Sequence, residues 1–357
     1  MRVLFDAYWW VEGPVSNRTV QREFITAWLE QFPGDDCTLL LPRDHLAIAD
    51  DLPHAARAVG SRLKPHGIAM AADMPRLARR LGVDLTLTHN FAPLFGRSAV
   101  FVHDALYESN PEWFSRAERA YLSLRPRLAP RADIVFTSSH TEAARIRSLY
   151  RGVSRVEPVG LAVRTDLLAA EPRQVPGIPA DFILSVGRLN VRKNLITTLR
   201  AALASGRLSP QRPLVVVGEA DGRTGALPAG LSAALSDRSV IILPSVDDSE
   251  LAWLYRSARL FMFLSLDEGY GLTPVEAITF GCPCLVSDLP VFRENLGDRV
   301  TYVDPLDVEA AAAALRATLD APRGTPNRDL GLSWAACVRR MRAALERMPG
   351  QPTTRHR

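Results

Sequence analysis

Two glutamates, Glu268 and Glu276, enclose a glycine-rich segment, EGYGLTPVE, and could together bind a polyol. An ionised carboxylate accepts hydrogen bonds and donates none, so two of them suit hydroxyl groups at both ends of a ligand. The apolar run LFMFLSL before Glu268 predicts a buried strand, and Thr273 and Pro274 predict the N-cap and the first residue of a helix. A strand, a glycine loop and a helix N-terminus form an anion-binding geometry. The segment therefore predicts a ligand with a phosphate between two polyols, such as a nucleotide sugar.

A purely structural interpretation of these residues is also open. Thr273 and Glu276 have the spacing of a capping box, in which Glu276 only closes the start of its own helix. Glu268 is then an exposed loop acid. The choice between the two interpretations depends on what else the same half of the chain contains.

A pair of cations follows the first strand of that half, in the segment FILSVGRLNVRKN. Gly187 and Arg188 come directly after the strand, and Lys193 comes just before a helix. The chain has one other lysine, Lys64, and uses arginine elsewhere, so a lysine at this place is informative. Preorganised cations stabilise the charge that grows on a departing diphosphate. The alternative is that both are solvated loop charges, and the Glu268–Glu276 segment in the same half argues against it.

Strand-like and helical segments alternate along the whole chain. The apolar runs are continuous and rich in Val, Leu and Ile, which is typical of parallel strands covered on both faces. We predict strands at 2–6, 38–42, 85–89, 99–103, 134–138, 182–186, 214–217, 240–243, 260–264, 284–287 and 300–303. Helical patterns lie at 19–31, 141–150, 196–205, 248–257 and 308–319. The sequence therefore predicts an α/β protein with two doubly wound, Rossmann-like domains that face a cleft.

The proline-rich stretch near residue 160 interrupts this alternation and predicts the domain boundary. We expect an N-terminal, acceptor-side domain at 1–160, a linker at 161–180 and a C-terminal domain at 181–349 that binds the nucleotide sugar. The last helix of the second domain is a candidate to pack back on the first. We expect residues 350–357 to form a disordered tail.

GRLNVRKN together with EGYGLTPVEAITFGCPCLVSD resembles the retaining glycosyltransferases of family 4, which have the GT-B fold. The shared features are a GR-x4-KN cation pair and an E-G-F/Y-G-L-x-x-x-E loop, and the resemblance is specific across 182–288. It implies that Arg188 and Lys193 bind the diphosphate, that Glu276 binds the ribose, and that Glu268 holds the donor sugar. The other donor-binding positions it implies are Gly187, Gly269, Tyr270, Gly271, Leu272 and Thr273.

The first half resembles the family less closely. Where the family has a Gly-Gly loop after the first strand, this chain has GPVSNR, with Gly13 and Ser16. Pro14 has no N–H to offer to a phosphate, whereas Ser16 is expected to cap a helix that begins near Arg18. The loop is therefore a candidate contact for either the diphosphate or the acceptor.

Two further candidates in the first half stand at the ends of predicted strands. His103 begins HDALYESNP, a stretch that resembles family mannosyl- and rhamnosyltransferases, and its imidazole could donate to a sugar hydroxyl. A satisfied structural histidine is the alternative. Ser139 precedes a helix with Glu142 three residues on, which predicts a capping box; a contact with the acceptor is the alternative.

Composition excludes several other classes of protein. The net charge is +4 and no basic block is interleaved with aromatic residues, which argues against nucleic-acid binding. The four cysteines have neither disulfide nor zinc spacing, and no apolar stretch approaches the roughly 20 residues of a membrane span. No Gly-x-Gly-x-x-Gly motif follows the first strand, which disfavours a nicotinamide enzyme, and two adjacent acids at 247–248 are too few for a metal. We expect no cofactor, no divalent metal and a cytoplasmic location.

The sequence thus predicts a metal-independent, retaining hexosyltransferase of surface polysaccharide biosynthesis. The expected donor is GDP-mannose or dTDP-rhamnose, and the acceptor is a glycan or a lipid-linked glycan. The basic, partly amphipathic run SRAERAYLSLRPRLAPR leaves a peripheral contact with the inner membrane face open, although two prolines interrupt the run and favour a solvated face. A nucleotide-sugar 2-epimerase and a non-catalytic GT-B partner subunit are the alternative functions.

Overall fold

The computed structural model describes residues 1–53, 56–188, 190–218, 230–321 and 330–348, with the side chains of 48–51 left out. The chain divides into two compact units. Unit 1 is Met1–Leu161 together with the described residues from Ser333 onward, and unit 2 is Ala162–Leu332. Each unit is built on its own parallel sheet.

Unit 1 contains a sheet of seven parallel strands in the order β3-β2-β1-β4-β5-β6-β7. Apolar runs buried on both faces form its centre, as parallel strands between helices require. The strands are β1 Arg2–Asp6, β2 Asp36–Pro42, β3 Ala56–Ser61, β4 Leu85–His89, β5 Ser98–Val102, β6 Ile134–Thr137 and β7 Val156–Pro158. The helices are α1 Val15–Gln31, α2 His66–Ile68, α3 Met74–Leu81, α4 Leu106–Ser109, α5 Arg116–Leu122, α6 Arg125–Leu128 and α7 His140–Leu149.

Unit 2 contains a sheet of six parallel strands in the order β10-β9-β8-β11-β12-β13. Its first strand lies in the interior of the sheet, so the strand order reverses next to β8 and β11, where such folds bind ligands. The strands are β8 Ile183–Val186, β9 Leu214–Val217, β10 Val240–Leu243, β11 Leu260–Phe263, β12 Cys284–Ser287 and β13 Thr301–Val303. The helices are α8 Thr165–Ala169, α9 Leu195–Ala204, α10 Leu231–Ser236, α11 Asp248–Ser257, α12 Leu272–Thr279, α13 Pro290–Leu296 and α14 Val308–Asp320.

The domain boundaries of the structure differ from the predicted ones at both ends of the second domain. The stretch predicted as a linker, 161–180, lies almost entirely in unit 2, where Arg164 pairs with Asp248 at 2.6 Å and Arg173 pairs with Asp247 of the α11 N-cap. The last helix, α15 Trp334–Glu346, lies in unit 1 and packs against α1. The ion pairs of the predicted linker cannot be read from local composition, whereas the sequence analysis names the last helix as a candidate to pack on the first domain. The predicted tail, 350–357, lies outside the described residues.

Every predicted strand overlaps a strand of the structure, but β3 and β7 were not predicted. β3 has the sequence ARAVGS, with an exposed arginine and mostly half-buried residues, so it lacks the continuous apolar run of a central strand. β7 is three residues long and ends at Pro158. Both are edge strands of the sheet, where shortness, charge and proline are tolerated because one side of the strand needs no partner.

Among the described residues, no helix is both long enough and apolar enough to span a membrane. The four cysteines are all buried as free thiols.

Candidate functional site

The two motif loops of unit 2 lie side by side because β8 and β11 are neighbours in the parallel sheet. The loop after β8 runs from Gly187 to Asn194, and the loop after β11 runs from 264 to 271. The amide of Leu266 donates to the carbonyl of Arg192 at 2.8 Å, and the Asn194 side chain donates to the carbonyl of Leu264 at 2.9 Å. These bonds join two motifs that stand far apart in the sequence.

Glu268 is the centre of a cluster of charges between these loops. Lys193 Nζ lies 2.6 Å from its Oε1, and Arg192 Nη1 lies 2.8 Å from its Oε2. The hydroxyl of Ser265 donates to Oε1 at 2.6 Å. Glu268 is only 7% exposed, so the alternative of an exposed loop acid is wrong. A buried carboxylate needs such partners because an unpaired buried charge is very costly.

The cluster shifts the acidity of both members of the ion pair. Burial acts to raise the pKa of Glu268, but Arg192 and Lys193 outweigh it and hold that pKa at about 2. Burial lowers the pKa of Lys193 to about 8, with repulsion from Arg192 and Arg188 acting in the same direction and Glu268 opposing them. Glu268 is therefore ionised at neutral pH, and Lys193 is charged there but loses its proton in mildly alkaline solution.

The structure places the two predicted cations in different surroundings. Lys193 contacts Glu268 directly, and its ammonium also lies 4.7 Å from the centre of the Phe263 ring. Arg188 is exposed on the same loop and acts on Lys193 through its charge. The sequence analysis missed Arg192, although its position next to Lys193 was the available signal.

Helix α12 begins two residues earlier than the sequence suggests, so the predicted cap is wrong. Gly271 is the N-cap, Leu272 is the first helical residue, and Thr273 and Pro274 lie inside the first turn. Pro274 is still tolerated because the first helical hydrogen bond is donated by Val275, to the Gly271 carbonyl at 3.3 Å. The amides of Leu272 and Thr273 have no acceptor within the helix. The anion-binding end of α12 is therefore present with a different cap.

Gly271 must be glycine for two reasons. Its φ is +86°, a conformation that residues with a side chain rarely adopt. A Cβ at this position would also lie 2.4 Å from Cε1 of Phe292. The neighbouring Tyr270 is 6% exposed, and its carbonyl accepts a hydrogen bond from Asn295 Nδ2 at 2.7 Å. The 269–271 turn is thus fixed by its surroundings, as a backbone that presents amides to a ligand should be.

Glu276 interacts with residues outside its own helix. The hydroxyl of Tyr255 on α11 donates to its Oε2 at 2.9 Å, and α12 has no side-chain cap, so the capping-box alternative is wrong. Burial raises the pKa of Glu276 to about 7, while Arg164 and the Tyr255 hydrogen bond oppose the rise. Lys193 also lowers this pKa, which places both glutamates in one electrostatic neighbourhood. The sequence analysis assigned no role to Tyr255 or Arg164.

The first-half candidate His103 lies directly after β5, and its ring is 5.7 Å from that of His89. Burial lowers the pKa of His103 well below its usual value, so the ring is neutral. Its Nε2 is buried and has no hydrogen-bond partner among the described residues. A neutral imidazole with one free nitrogen can donate to or accept from a hydroxyl group.

A second polar cluster in unit 1 was not predicted. Asp6 ends β1, and its Oδ2 accepts from His66 Nε2 at 2.8 Å and from the His89 amide at 3.0 Å. Burial acts to raise the pKa of Asp6, but His66, His89 and the amide of Tyr8 together outweigh it and lower the pKa. Trp9 stacks on His66 with ring centres 3.8 Å apart. The available signal was that Asp6, His89 and His103 all stand where neighbouring strands end.

The loop after β1 differs from its prediction. Helix α1 begins at Val15, directly after Pro14, so Ser16 lies inside the first turn and is not the cap. The reason is the fixed φ of proline, which prepares the chain for a helix that starts at the next residue. Gly13 has a φ of +136°, and a Cβ there would lie 2.4 Å from Cδ1 of Trp9. The loop is thus packed on Trp9 at this point.

Ser139 caps α7, as one of the two interpretations predicts. Its hydroxyl accepts from the amide of Glu142 at 3.0 Å. The Glu142 carboxylate accepts from the amide of Ala105 at 2.7 Å, which ties α7 to the segment after β5. Ser139 is only 2% exposed. Its role in an acceptor contact stays a prediction.

No group of three or more His, Cys, Asp or Glu side chains suited to a metal occurs within the described ranges.

Comparison with known proteins adds information on unit 2 above all. Residues 171–329 match the family model described as Glycosyl transferases group 1, which is less than half of the chain. The O-antigen chain mannosyltransferase RfbU of Salmonella typhimurium is 26% identical over 232 residues, 64% of this chain and 63% of that protein. The GDP-mannose:cellobiosyl-diphosphopolyprenol alpha-mannosyltransferase of Xanthomonas campestris is 31% identical over 145 residues, 39% of this chain and 36% of that enzyme. The chain thus spans less than two thirds of the length of these relatives.

Similarity to solved structures extends over nearly the whole chain. Sucrose-phosphate synthase from Thermosynechococcus elongatus superposes with a TM-score of 0.64 at 18% identity, covering 96% of this chain and 94% of that one. Identity this low shows the fold alone. Together with the two parallel α/β units, it confirms the GT-B fold class. The cleft that the sequence analysis expected stays a prediction.

Proposed function

We propose that this chain is a retaining glycosyltransferase that transfers mannose from GDP-mannose to a glycan or lipid-linked glycan. The observation that carries the proposal is the Lys193–Glu268–Arg192 cluster beside the N-terminus of α12. This arrangement offers cations and backbone amides to an anion, and carboxylates to hydroxyl groups, within one region of unit 2. The similarity to mannosyltransferases supports mannose over rhamnose as the transferred sugar.

In the proposed reaction, the protein acts mainly by stabilising the leaving group. The bond between the sugar C1 and the diphosphate oxygen breaks, its electron pair stays on the phosphate, and negative charge grows there. Arg188, Lys193 and the amides of Leu272 and Thr273 stabilise this charge, because preorganised cations and dipoles cost no reorganisation during the reaction. We propose that these groups act without a divalent metal.

Retention follows in this proposal from positioning. The acceptor hydroxyl approaches the same face of the sugar that the diphosphate leaves, and a new bond forms between C1 and the acceptor oxygen. The proton of that hydroxyl passes to the departing phosphate oxygen, so no side chain has to act as the base. Holding the hydroxyl next to the phosphate is an effect of proximity and orientation.

The two glutamates have separate tasks in the proposal. Glu276 accepts hydrogen bonds from the ribose, and its carboxylate is available for this above its pKa of about 7. Glu268 accepts from three groups in the structure, Ser265, Arg192 and Lys193. A carboxylate has about four lone-pair positions, so Glu268 retains room for a donor sugar hydroxyl. His103, with its free Nε2, is the proposed contact on unit 1.

The proposals for the acceptor and for the cellular context are based on the similar proteins. Both relatives described above act on glycans by name, and one acts on a diphosphopolyprenol-linked glycan. We therefore propose a role in surface polysaccharide biosynthesis in the cytoplasm, at or near the inner membrane face. The epimerase and the non-catalytic subunit are not retained, because these relatives are transferases.

The test is a thermal-shift panel with UDP-, GDP- and dTDP-sugars, followed by a transfer assay. A ligand at a hundred times its dissociation constant stabilises the folded protein by about 2.7 kcal/mol, which such a panel detects. We expect GDP-mannose to raise Tm most, and mannose to appear in an α-linked product only when a glycan or a polyprenyl-diphosphate glycan is present as the acceptor. Product formation without an acceptor, or an inverted linkage, would refute the proposal.

A further inference from the structure

Glu268 is held by two cations through two different oxygen atoms. Lys193 contacts Oε1 at 2.6 Å and Arg192 contacts Oε2 at 2.8 Å. The Arg192 side chain is 24% exposed and that of Lys193 is 15% exposed, whereas the Glu268 side chain is 9% exposed. The carboxylate is thus the most buried of the three charged groups, and both cations are more exposed than it is.

The proposed function creates a conflict for Lys193. Its ammonium must contact the donor diphosphate, yet it already neutralises a buried carboxylate. An ammonium has three donors and can serve both groups, but each step toward the phosphate weakens its bond to Glu268. Losing a partner is costly for a buried charge. A second cation on the other oxygen removes that cost.

We propose that Arg192 is a positioning residue of the diphosphate site, which anchors Glu268 through Oε2 so that Lys193 can turn toward the diphosphate. This inference rests on the proposed function. Arg192 would also keep the Glu268 carboxylate oriented toward the donor sugar. Arginine suits the task because its rigid, always charged fork fixes the direction of a carboxylate better than a lysine does.

The charge balance of the cluster supports this role. Arg188, Arg192 and Lys193 carry three positive charges, against the carboxylates of Glu268 and of its neighbour Asp267, which accepts from the Glu268 amide at 2.8 Å. Glu276 is the other acid that Lys193 influences. Without Arg192, the charge of Lys193 would be largely neutralised by Glu268. With Arg192 present, positive charge remains for an anionic ligand.

The chain offers a direct way to observe Lys193, because its only other lysine is Lys64. Lys64 lies in unit 1, paired with Asp44 at 2.8 Å and well exposed, so it is an internal control. In protein labelled with 13C,15N-lysine, two side-chain signals should follow pH, and Lys64→Arg assigns them. We expect the Lys193 midpoint near 8 in the native chain.

The decisive variant is Arg192→Gln, measured first without nucleotide. Removing a neighbouring positive charge should raise the Lys193 midpoint by about half a unit or more, since like charges disfavour the protonated form. Arg192→Lys keeps the charge, so its midpoint should stay close to the native value. Arg207→Gln removes an exposed arginine that follows α9 and pairs with Asp320, and it should leave Lys193 unchanged.

GDP is then added to each protein. In the native chain GDP should raise the Lys193 midpoint, and Arg192→Gln should bind GDP about tenfold more weakly, with Arg192→Lys between them. An unchanged Lys193 midpoint in Arg192→Gln, or native GDP affinity, would overturn the inference. If no nucleotide diphosphate moves the Lys193 signal even in the native chain, the proposed function fails instead. Thermal unfolding of each variant reports whether it is folded.

Discussion

Replacing Lys193 by methionine tests the proposed stabilisation of the leaving group most directly. Methionine keeps an unbranched side chain that can pack on Phe263, whose ring centre lies 4.7 Å from the native ammonium. It removes the charge that contacts Glu268 and, in our proposal, the departing diphosphate. Losing one preorganised group that stabilises developing charge typically lowers kcat by about a hundredfold or more. We expect at least that loss in Lys193→Met.

Stability should change much less than catalysis. Glu268 keeps its contacts with Arg192 and Ser265, so the carboxylate is not left unpaired. A hydrogen bond to a charged group contributes about 1.5–3 kcal/mol, and the burial penalty on the Lys193 ammonium offsets part of that loss. We therefore expect Lys193→Met to fold, with Tm lowered by a few degrees.

The assay compares initial rates of mannosyl transfer at saturating GDP-mannose. Lys64→Met makes the same chemical change at an exposed ion pair with Asp44, and it should transfer mannose at the native rate. Thermal unfolding of each variant separates lost catalysis from lost structure. If folded Lys193→Met turns over within threefold of the native rate, Lys193 does not stabilise the leaving group and the reasoning is refuted.

Three further outcomes are expected. First, kcat/KM should fall below pH 7 as Glu276 is protonated and above pH 8 as Lys193 loses its proton. Glu276→Gln should remove the fall below pH 7 and raise KM for the donor about tenfold. A pH profile of Glu276→Gln that matches the native one would contradict the role of Glu276. Second, Gly271→Ala should lower Tm and abolish donor binding, because φ is +86° and a Cβ would lie 2.4 Å from the Phe292 ring. Gly34→Ala, with no atom within 4 Å of the new Cβ, is the control, and equal Tm values would refute the argument. Third, transfer should survive EDTA, and its loss with recovery on adding Mg²⁺ would contradict the metal-independent proposal.

Much of the architecture was predictable because parallel strands are apolar along their whole length. Runs such as LVVV and LFMF predicted the strands β9 and β11, and their order along the chain predicted doubly wound units. The edge strands β3 and β7 lacked that signal. The first unit ends within one residue of its predicted end, but the predicted linker belongs to unit 2, where long-range ion pairs such as Arg164 with Asp248 hold it.

The site was predictable only where its residues share a short motif. Lys193 and Glu268 were each found from local spacing, and the sheet explains why they meet. Tyr255, the hydrogen-bond partner of Glu276, lies on another helix, so its contact with Glu276 could not be predicted from either motif. The pairing of Asp6 with His66 was missed for the same reason, since 60 positions separate the two residues. The N-caps predicted at Thr273 and Ser16 were each misplaced by two residues, because glycine and proline backbone geometry decided the cap.

A crystal structure of the protein with GDP would test the central claim most directly. We expect the β-phosphate oxygens within hydrogen-bond distance of Lys193 Nζ and of the Leu272 amide, with Arg192 still bound to Glu268 Oε2. GDP bound elsewhere on the chain, or a bound diphosphate that contacts neither Arg188 nor Lys193, would contradict the account.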